Sequence, residues 1–106
     1  MDGFAVIAEP SRRRIVDQLR VGARDVAGLV DTLGLSQSLV SKHLRVLREA
    51  GVVTVEVAGR RRVYRLSDEP LPDVLAWVEP YHRRWSQAFD SLADALDADR
   101  RQREKP

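Results

Sequence analysis

Apolar side chains recur at helical spacing through the first third of the chain, in segments bounded by residues that begin or end helices. Residues 3–8 form a short apolar stretch that Asp2 can cap, and Pro10 suits the first turn of a second helix. Asp25 can cap a third helix over residues 26–33. The inward-facing positions of the second and third helices are Ile15, Val16, Leu19, Val26, Leu29, Val30 and Leu33.

The next segment, residues 36–50, predicts an amphipathic helix that Ser36 caps and Gly51 ends. Its narrow apolar stripe consists of Val40, Leu44 and Leu47. The opposite side, called the polar face below, consists of Gln37, Ser38, Ser41, Lys42, Arg45 and Arg48. Such side chains suit the base edges and phosphates of a DNA groove, although a solvated amphipathic helix is the alternative for this segment alone. The short Gly34 turn before it gives a helix-turn-helix pattern.

A β-hairpin follows the amphipathic helix. Residues 52–58 are rich in β-branched side chains, residues 59–61 form the predicted tip, and residues 62–66 alternate as the return strand. Three consecutive arginines, 60–62, lie at this tip, where a solvated turn would usually carry Asn, Asp or Gly. They predict a wing that reaches phosphates or the minor groove; the alternative is that they keep a hairpin edge from aggregating.

The C-terminal part is predicted to be helical after a linker at residues 67–72. Apolar side chains recur there at alternating spacings of four and three, which is a heptad pattern. This set, called the seam, consists of Leu71, Leu75, Val78, His82, Trp85, Phe89, Leu92 and Leu96. Pro80 predicts either a kink or a break between two helices. A twin helix from a second copy is the simplest cover for the seam, and folding back over the chain's own core is the alternative.

These elements predict a mostly α chain with a β-hairpin wing, a winged helix-turn-helix with an added C-terminal dimerisation helix. The predicted organisation is a DNA-binding part at residues 1–70, a dimerisation part at 71–99 within the same domain, and a disordered tail at 100–106. At 106 residues the chain is long enough for one domain.

Charge is unevenly distributed along the chain. Residues 1–66 carry 12 Lys and Arg against 7 Asp and Glu, a net charge of +5, whereas residues 67–106 carry 6 against 9, a net charge of −3. A basic first part and an acidic second part suit a chain that binds a polyanion with one part only. The absence of both a long apolar run and a signal-peptide pattern leads us to expect a cytoplasmic protein without a membrane partner.

Arginines 12–14 crowd the predicted first turn of the second helix, where cations oppose the helix dipole. Two interpretations are open at this point. The arginines could attract a phosphate together with the helix N-terminus, or Arg13 or Arg14 could pair with an acidic residue of the C-terminal part.

The sequence resembles the ArsR family of bacterial winged-helix repressors over residues 4–66. The resemblance is carried by residues 8–16 (AEPSRRRIV), 35–44 (LSQSLVSKHL), 47–53 (LREAGVV) and 59–66 (GRRRVYRL), in that order. It implies a homodimer that binds an operator in double-stranded DNA and that an unknown small-molecule effector releases. The implied DNA-binding residues are Ser36, Gln37, Ser38, Ser41, Lys42, His43 and Arg45 in the recognition helix, Arg60, Arg61, Arg62 and Tyr64 in the wing, and Arg12 and Arg13 at phosphates. The implied dimerisation residues are Phe4, Leu75, Val78, Tyr81, His82, Trp85, Phe89, Leu92 and Leu96.

Metal sensing by cysteines, which the best-known members of this family use, is excluded because the chain contains no cysteine. Weak candidate ligands on the last helix are Glu79, His82, Asp90 and Asp94. This set contains only one histidine, which makes a poor zinc or nickel site, so no metal and no cofactor are expected. His82 could instead make dimerisation respond to pH, or simply hydrogen-bond at the edge of the core. A small apolar ligand near Phe4, Trp77, Tyr81 and Trp85 is possible, although plain packing explains these aromatics as well.

The leading functional hypothesis is therefore a homodimeric transcriptional repressor that binds a palindromic operator. The alternative from another class is a winged-helix module that binds protein and has lost specific DNA binding. An enzyme is not expected, because the chain lacks a phosphate loop and a cysteine nucleophile and the fold should show no deep polar cleft. The effector, the operator sequence, the regulated genes and the choice between repression and activation are left open.

Overall fold

The computed structural model describes residues 1–104 of the chain. Its elements are α1 (Gly3–Ala8), α2 (Pro10–Val21), β1 (Arg24–Asp25), α3 (Val26–Leu33), α4 (Gln37–Glu49), β2 (Val53–Ala58), β3 (Arg61–Leu66) and α5 (Pro72–Glu104). They form two compact units, Met1–Val74 and the part of α5 from Leu75 onward. Within the described residues, no helix has both the length and the apolar content that crossing a bilayer requires.

Capping side chains begin the helices at the positions that the sequence predicts. Asp2 Oδ1 accepts a hydrogen bond from Ala5 N at 2.7 Å, and Asp25 Oδ1 accepts one from Gly28 N at 2.8 Å. The hydroxyl of Ser36 accepts one from Leu39 N at 3.2 Å at the start of α4. Each bond satisfies an N–H group that the first helical turn leaves without a partner.

The core of the first unit lies where the apolar stripes of its helices meet the hairpin. Val40, Leu44 and Leu47 of α4 are all buried there, as the predicted stripe requires. The remaining buried side chains are Val6, Ile15, Leu19, Leu29, Leu33, Val52, Val53 and Tyr64. Because the apolar side of α4 is held by this core, its polar face is directed to solvent.

The sheet has three strands in the order β1-β3-β2, whereas the sequence predicted a hairpin of two. The additional strand β1 has two residues and pairs antiparallel with β3, with Arg24 opposite Tyr64 and Asp25 opposite Val63. In the hairpin, Ala58 pairs with Arg61, so the tip consists of Gly59 and Arg60. The predicted tip was one residue too long, because Arg61 belongs to strand β3.

The C-terminal helix α5 runs without a break from Pro72 to Glu104 and contains Pro80. Of the two outcomes predicted at this proline, a break between two helices is therefore wrong. The predicted disordered tail is also wrong for residues 100–104, which are helical. Ion pairs one turn apart, Arg100–Asp97 at 3.7 Å and Arg103–Asp99 at 3.1 Å, favour this last part of the helix. The tail residues 105–106 lie outside the described part of the chain.

Candidate nucleic-acid interface

The polar face of α4 is a continuous exposed surface. Gln37, Ser38, Ser41, Lys42 and Arg45 are all exposed, whereas His43 is half-buried at the edge of the apolar stripe. The exposed residues occupy the first two and a half turns, which is the part of a recognition helix that reaches base edges. They combine hydroxyl and amide groups with cations, so the surface can both bond bases and attract phosphates.

A groove runs beside this face, between α4 and strand β3. It is lined by Val26, Gln37, Ser41, Arg45, Arg48, Glu49, Arg62 and Tyr64. The lining has three arginines and a single carboxylate, with no histidine and no second carboxylate, so it is suited to an anion.

Arg45 forms an ion pair with Glu49 one helical turn later, with Arg45 Nε 3.1 Å from Glu49 Oε1. Both side chains are exposed, so the pair contributes little to stability. Its effect is on geometry, because it uses the Nε edge of the guanidinium. The two terminal nitrogens of Arg45 are left to approach a base or a phosphate.

The three arginines of the wing have different surroundings. Arg60 lies at the exposed tip, and Arg62 lines the groove beside α4. Arg61 instead binds Asp25, with Nε 2.9 Å and Nη2 2.8 Å from the same oxygen, Oδ2. The sequence predicts the same contact for all three, whereas in the structure only Arg61 has an ion-pair partner among the described residues.

The carboxylate of Asp25 has hydrogen-bond donors on both oxygens. The backbone N–H of Gly28, followed by the side chain of Arg61, lowers the pKa of Asp25 below its ordinary value of 3.8. A group with a lowered pKa stabilises the fold above its ordinary pKa, and that contribution is lost only as the pH falls below that value. The carboxylate of Asp25 is therefore ionised at neutral pH, as its ion pair with Arg61 requires.

Tyr64 is buried, unlike the arginines predicted with it as wing contacts. Its exposed fraction is 8%, and it packs within the core cluster. The register places it opposite Val55 near the base of the hairpin, away from the tip. Tyr64 also lines the groove beside α4. A DNA contact by Tyr64 stays a prediction, and its burial leaves little of the side chain to make one.

Arginines 12–14 bind backbone carbonyls, a role that neither sequence interpretation included. Arg12 donates to Val6 O at 2.6 Å and to Ala5 O at 3.1 Å, and Arg13 donates to Ile7 O at 3.0 Å. Arg14 donates to Leu33 O at 3.1 Å. These carbonyls lie in the last turns of α1 and α3, where no helical N–H is available and where cations are favoured by the helix dipole. A phosphate contact by Arg12 or Arg13 stays a prediction.

Replacing Arg12 with alanine is expected to lower the free energy of unfolding by about 1–2 kcal/mol, because two charge-assisted hydrogen bonds to α1 are lost. Urea denaturation measures the effect. Arg20→Ala is the matched control, since Arg20 lies in the same helix, is exposed and makes no side-chain hydrogen bond within the described residues. Equal effects of the two substitutions would contradict a capping role for Arg12.

Most side chains of the seam on α5 are exposed. The exposed fraction is 61% for Trp85 and 70% for Phe89, and no described residue of α5 is buried. Trp77 and Tyr81 contact each other along the helix, with ring centroids 5.1 Å apart. An uncovered stripe of this length is typical of a helix that packs against another chain.

The metal candidates Glu79, His82, Asp90 and Asp94 are spread over four turns of α5. Among residues 1–104, no three His, Asp or Glu side chains come together in a group that could hold a metal ion. His82 is exposed and lies on the seam.

Two site residues were missed by the sequence analysis. Arg48 was placed on the polar face but not among the DNA-binding residues, although the i, i+3 and i+4 spacing from Ser41 and Arg45 could have included it. Asp25 was identified only as a helix cap. Its second contact depends on the pairing of β1 with β3, which no local pattern indicates.

Comparison with known proteins identifies related bacterial regulators. The profile of the family described as bacterial regulatory protein, arsR family, matches residues 9–55. The HTH-type transcriptional regulator Rv2034 of Mycobacterium tuberculosis is 34% identical over 96 residues, which cover 91% of this chain and 87% of that protein. The HTH-type transcriptional repressor SmtB of M. tuberculosis is 49% identical over 69 residues, which cover 65% of this chain. This match spans 51%, about half, of the repressor's length.

Solved structures share the fold. The crystal structure of a possible transcriptional regulator for arsenical resistance has a TM-score of 0.69 and 39% identity, covering 90% of this chain and 96% of that one. The homodimeric winged helix-turn-helix DNA-binding domain of Mb0332 from Mycobacterium bovis has a TM-score of 0.61 and 26% identity, covering 74% and 73%. The predicted winged helix-turn-helix is thus confirmed, and the chain belongs to the ArsR family of bacterial regulatory proteins.

Proposed function

We propose that this protein is a homodimeric transcriptional repressor that binds a palindromic operator in double-stranded DNA and is released by a small-molecule effector. The observation that carries the proposal is the orientation of α4. Its apolar stripe is held in the core, and its exposed side presents Gln37, Ser38, Ser41, Lys42 and Arg45. A helix oriented in this way can enter the major groove with its N-terminal turns towards the bases.

Positive charge beside this helix supports the same function. Arg48 and Arg62 line the groove next to α4, and Arg60 lies at the tip of the hairpin. None of these three has an ion-pair partner within residues 1–104, so their charges are available to phosphates. Phosphate contacts hold a protein in register on the duplex, while the recognition helix reads the sequence.

The proposed dimer uses the seam of α5. The homodimeric state of the related Mb0332 domain supports pairing in this family. Two-fold pairing of identical winged helices would present two recognition helices to two half-sites, which accounts for a palindromic operator. We propose that the protein acts in the cytoplasm, where a bacterial chromosome is accessible.

The test of this function is a gel-shift titration of the protein against DNA from immediately upstream of its own gene, at two salt concentrations, with a scrambled duplex as control. Promoter-selective binding that weakens with salt is expected, because phosphate contacts release counterions. Equal weak binding to both duplexes would indicate that the operator lies in other DNA. Binding to neither at low salt would overturn the proposal in favour of a module that binds protein.

Arg45→Ala is expected to lower operator affinity by about 1–3 kcal/mol, and by different amounts on operators that differ at one base pair, if Arg45 bonds a guanine. Its free terminal nitrogens support such a contact. Titrations against a set of single-base-pair operator variants measure this pattern. Arg20→Ala, which removes an exposed cation from α2, controls for the loss of charge. A uniform loss on every operator would make Arg45 a phosphate contact instead.

A further inference from the structure

The carboxylate of Asp25 connects the helix-turn-helix to the wing. Oδ1 accepts the N–H of Gly28 in the first turn of α3, and Oδ2 accepts Nε and Nη2 of Arg61 in β3. The side chain of Asp25 is 23% exposed, whereas that of Arg61 is 68% exposed. The partly covered carboxylate of Asp25 therefore caps α3 and binds Arg61 of β3 at the same time.

The strand register explains why these two residues meet. Asp25 is opposite Val63, and Arg61 precedes Val63 by two residues, so its side chain lies on the same face of β3. Diagonal neighbours across an antiparallel pair are within reach of a long side chain. Arg61 is consequently directed along the sheet towards α3, while Arg60 occupies the turn.

We propose that Asp25 and Arg61 are a positioning pair that sets the angle of the wing, and that Arg60 makes the phosphate contact at the tip. The inference rests on the proposed DNA-binding function. A hairpin on a two-residue turn is marginally stable alone and needs support at its base and side. The ion pair supplies that support at the end of β3 nearest the tip, beyond the two backbone-paired residues of β1.

The direction in which Asp25→Asn changes DNA affinity distinguishes a positioning role from a simple charge effect. Asp25→Asn removes a negative charge, and an asparagine at this position still caps α3. If the carboxylate acted only through its charge, or if it merely withheld Arg61 from DNA, its removal would strengthen binding to a polyanion. Loss of wing positioning instead weakens binding, about twofold to fivefold for a partly exposed ion pair.

The matched control is Glu56→Gln. Glu56 forms the other ion pair of the hairpin, with its Oε2 3.2 Å from Arg65 Nη2. Glu56→Gln therefore also removes one negative charge from the wing. Glu56 and Arg65 both belong to the hairpin, so their ion pair does not connect the wing to α3. Glu56→Gln is expected to leave affinity unchanged or slightly raised, as charge alone predicts.

The experiment measures affinity for DNA from upstream of the gene over a series of salt concentrations. The logarithm of the binding constant falls linearly with the logarithm of the salt concentration. Arg60→Ala is expected to make this slope shallower by about 0.9 for each wing that contacts DNA. Arg61→Ala is expected to weaken binding as Asp25→Asn does, with the slope unchanged. The double variant should be no weaker than either single variant, because both lose the same pair. A reduced slope for Arg61→Ala, or tighter binding by Asp25→Asn, would overturn the inference.

A measurement without DNA separates this inference from the proposed function. In NMR spectra of the free protein, the Nε–H of Arg61 is expected to exchange with solvent about twofold to fivefold more slowly than it does in Asp25→Asn, as a partly exposed ion pair allows. Glu56→Gln should leave this protection unchanged. An unprotected Arg61 Nε–H would overturn the pair whatever the DNA result. Failure of the unmodified protein to bind any duplex, with this signal present, would overturn the proposed function and the pair's role in DNA binding but not the pair itself.

Discussion

Phe89→Glu is expected to separate the proposed dimer into monomers. Phe89 lies on the seam and is 70% exposed in the single chain, so a glutamate there costs the monomer little. In a two-fold interface each substitution occurs twice, and a central aromatic residue contributes about 2 kcal/mol or more at each occurrence. The dimer dissociation constant should therefore rise by about a thousandfold, since two such losses add.

Sedimentation over a range of protein concentrations measures this change. Gln87→Glu is the matched control, because it introduces the same side chain and charge two residues away on the opposite side of α5. This control should remain dimeric. A Phe89→Glu protein that sediments as a dimer would show that the seam is not the interface.

The same pair of variants connects assembly to DNA binding. A monomer of Phe89→Glu retains the recognition helix and the wing, so it should still bind a single half-site weakly. It loses the gain in affinity that comes from joining two half-sites in one complex. On the full palindrome it should therefore bind much more weakly than Gln87→Glu, while on one half-site the two variants should bind alike.

The recognition helix was the part of the site that the sequence predicted most completely. Its cap, its apolar stripe and its polar face all follow from local spacing, and the structure has Ser36 at the cap and Val40, Leu44 and Leu47 in the core. Local patterns are reliable here because one amphipathic helix has a single way to bury its stripe.

The hydrogen-bond and ion-pair partners of the arginines could not be predicted from the sequence in this way. Arg12 and Arg61 look alike in sequence, as members of basic runs, yet one caps α1 and the other binds Asp25. The partner of a long cationic side chain depends on which elements the fold brings within its reach. The strand pairing of β1 decides this for Arg61, and the turn between α1 and α2 decides it for Arg12.

Tyr64 shows the same limit for an aromatic side chain. Alternation along β3 gives two faces, but it does not say which face the core covers at each position. The structure buries Tyr64 against the core because the hairpin base packs on the helices, and only residues nearer the tip extend beyond it.

Leu44→Ala is expected to destabilise the first unit by about 2–5 kcal/mol, because it leaves a cavity at the centre of the core. The exposed fraction of Leu44 is 1%, and it lies on the buried side of α4. That loss is a large share of the roughly 5–15 kcal/mol by which domains are stable. Urea denaturation measures it, at a fixed protein concentration because the proposed pairing would also contribute to stability.

Leu39→Ala is the matched control, since it makes the same substitution in the same helix at a side chain that is 46% exposed. It should change stability by no more than about 0.5 kcal/mol. The two variants also separate folding from recognition. Leu44→Ala should weaken DNA binding only by lowering the folded fraction, so a stabilising osmolyte should restore its affinity. A deficit in Leu44→Ala that persists when the protein is fully folded would mean that the core sets the geometry of the polar face as well as its stability.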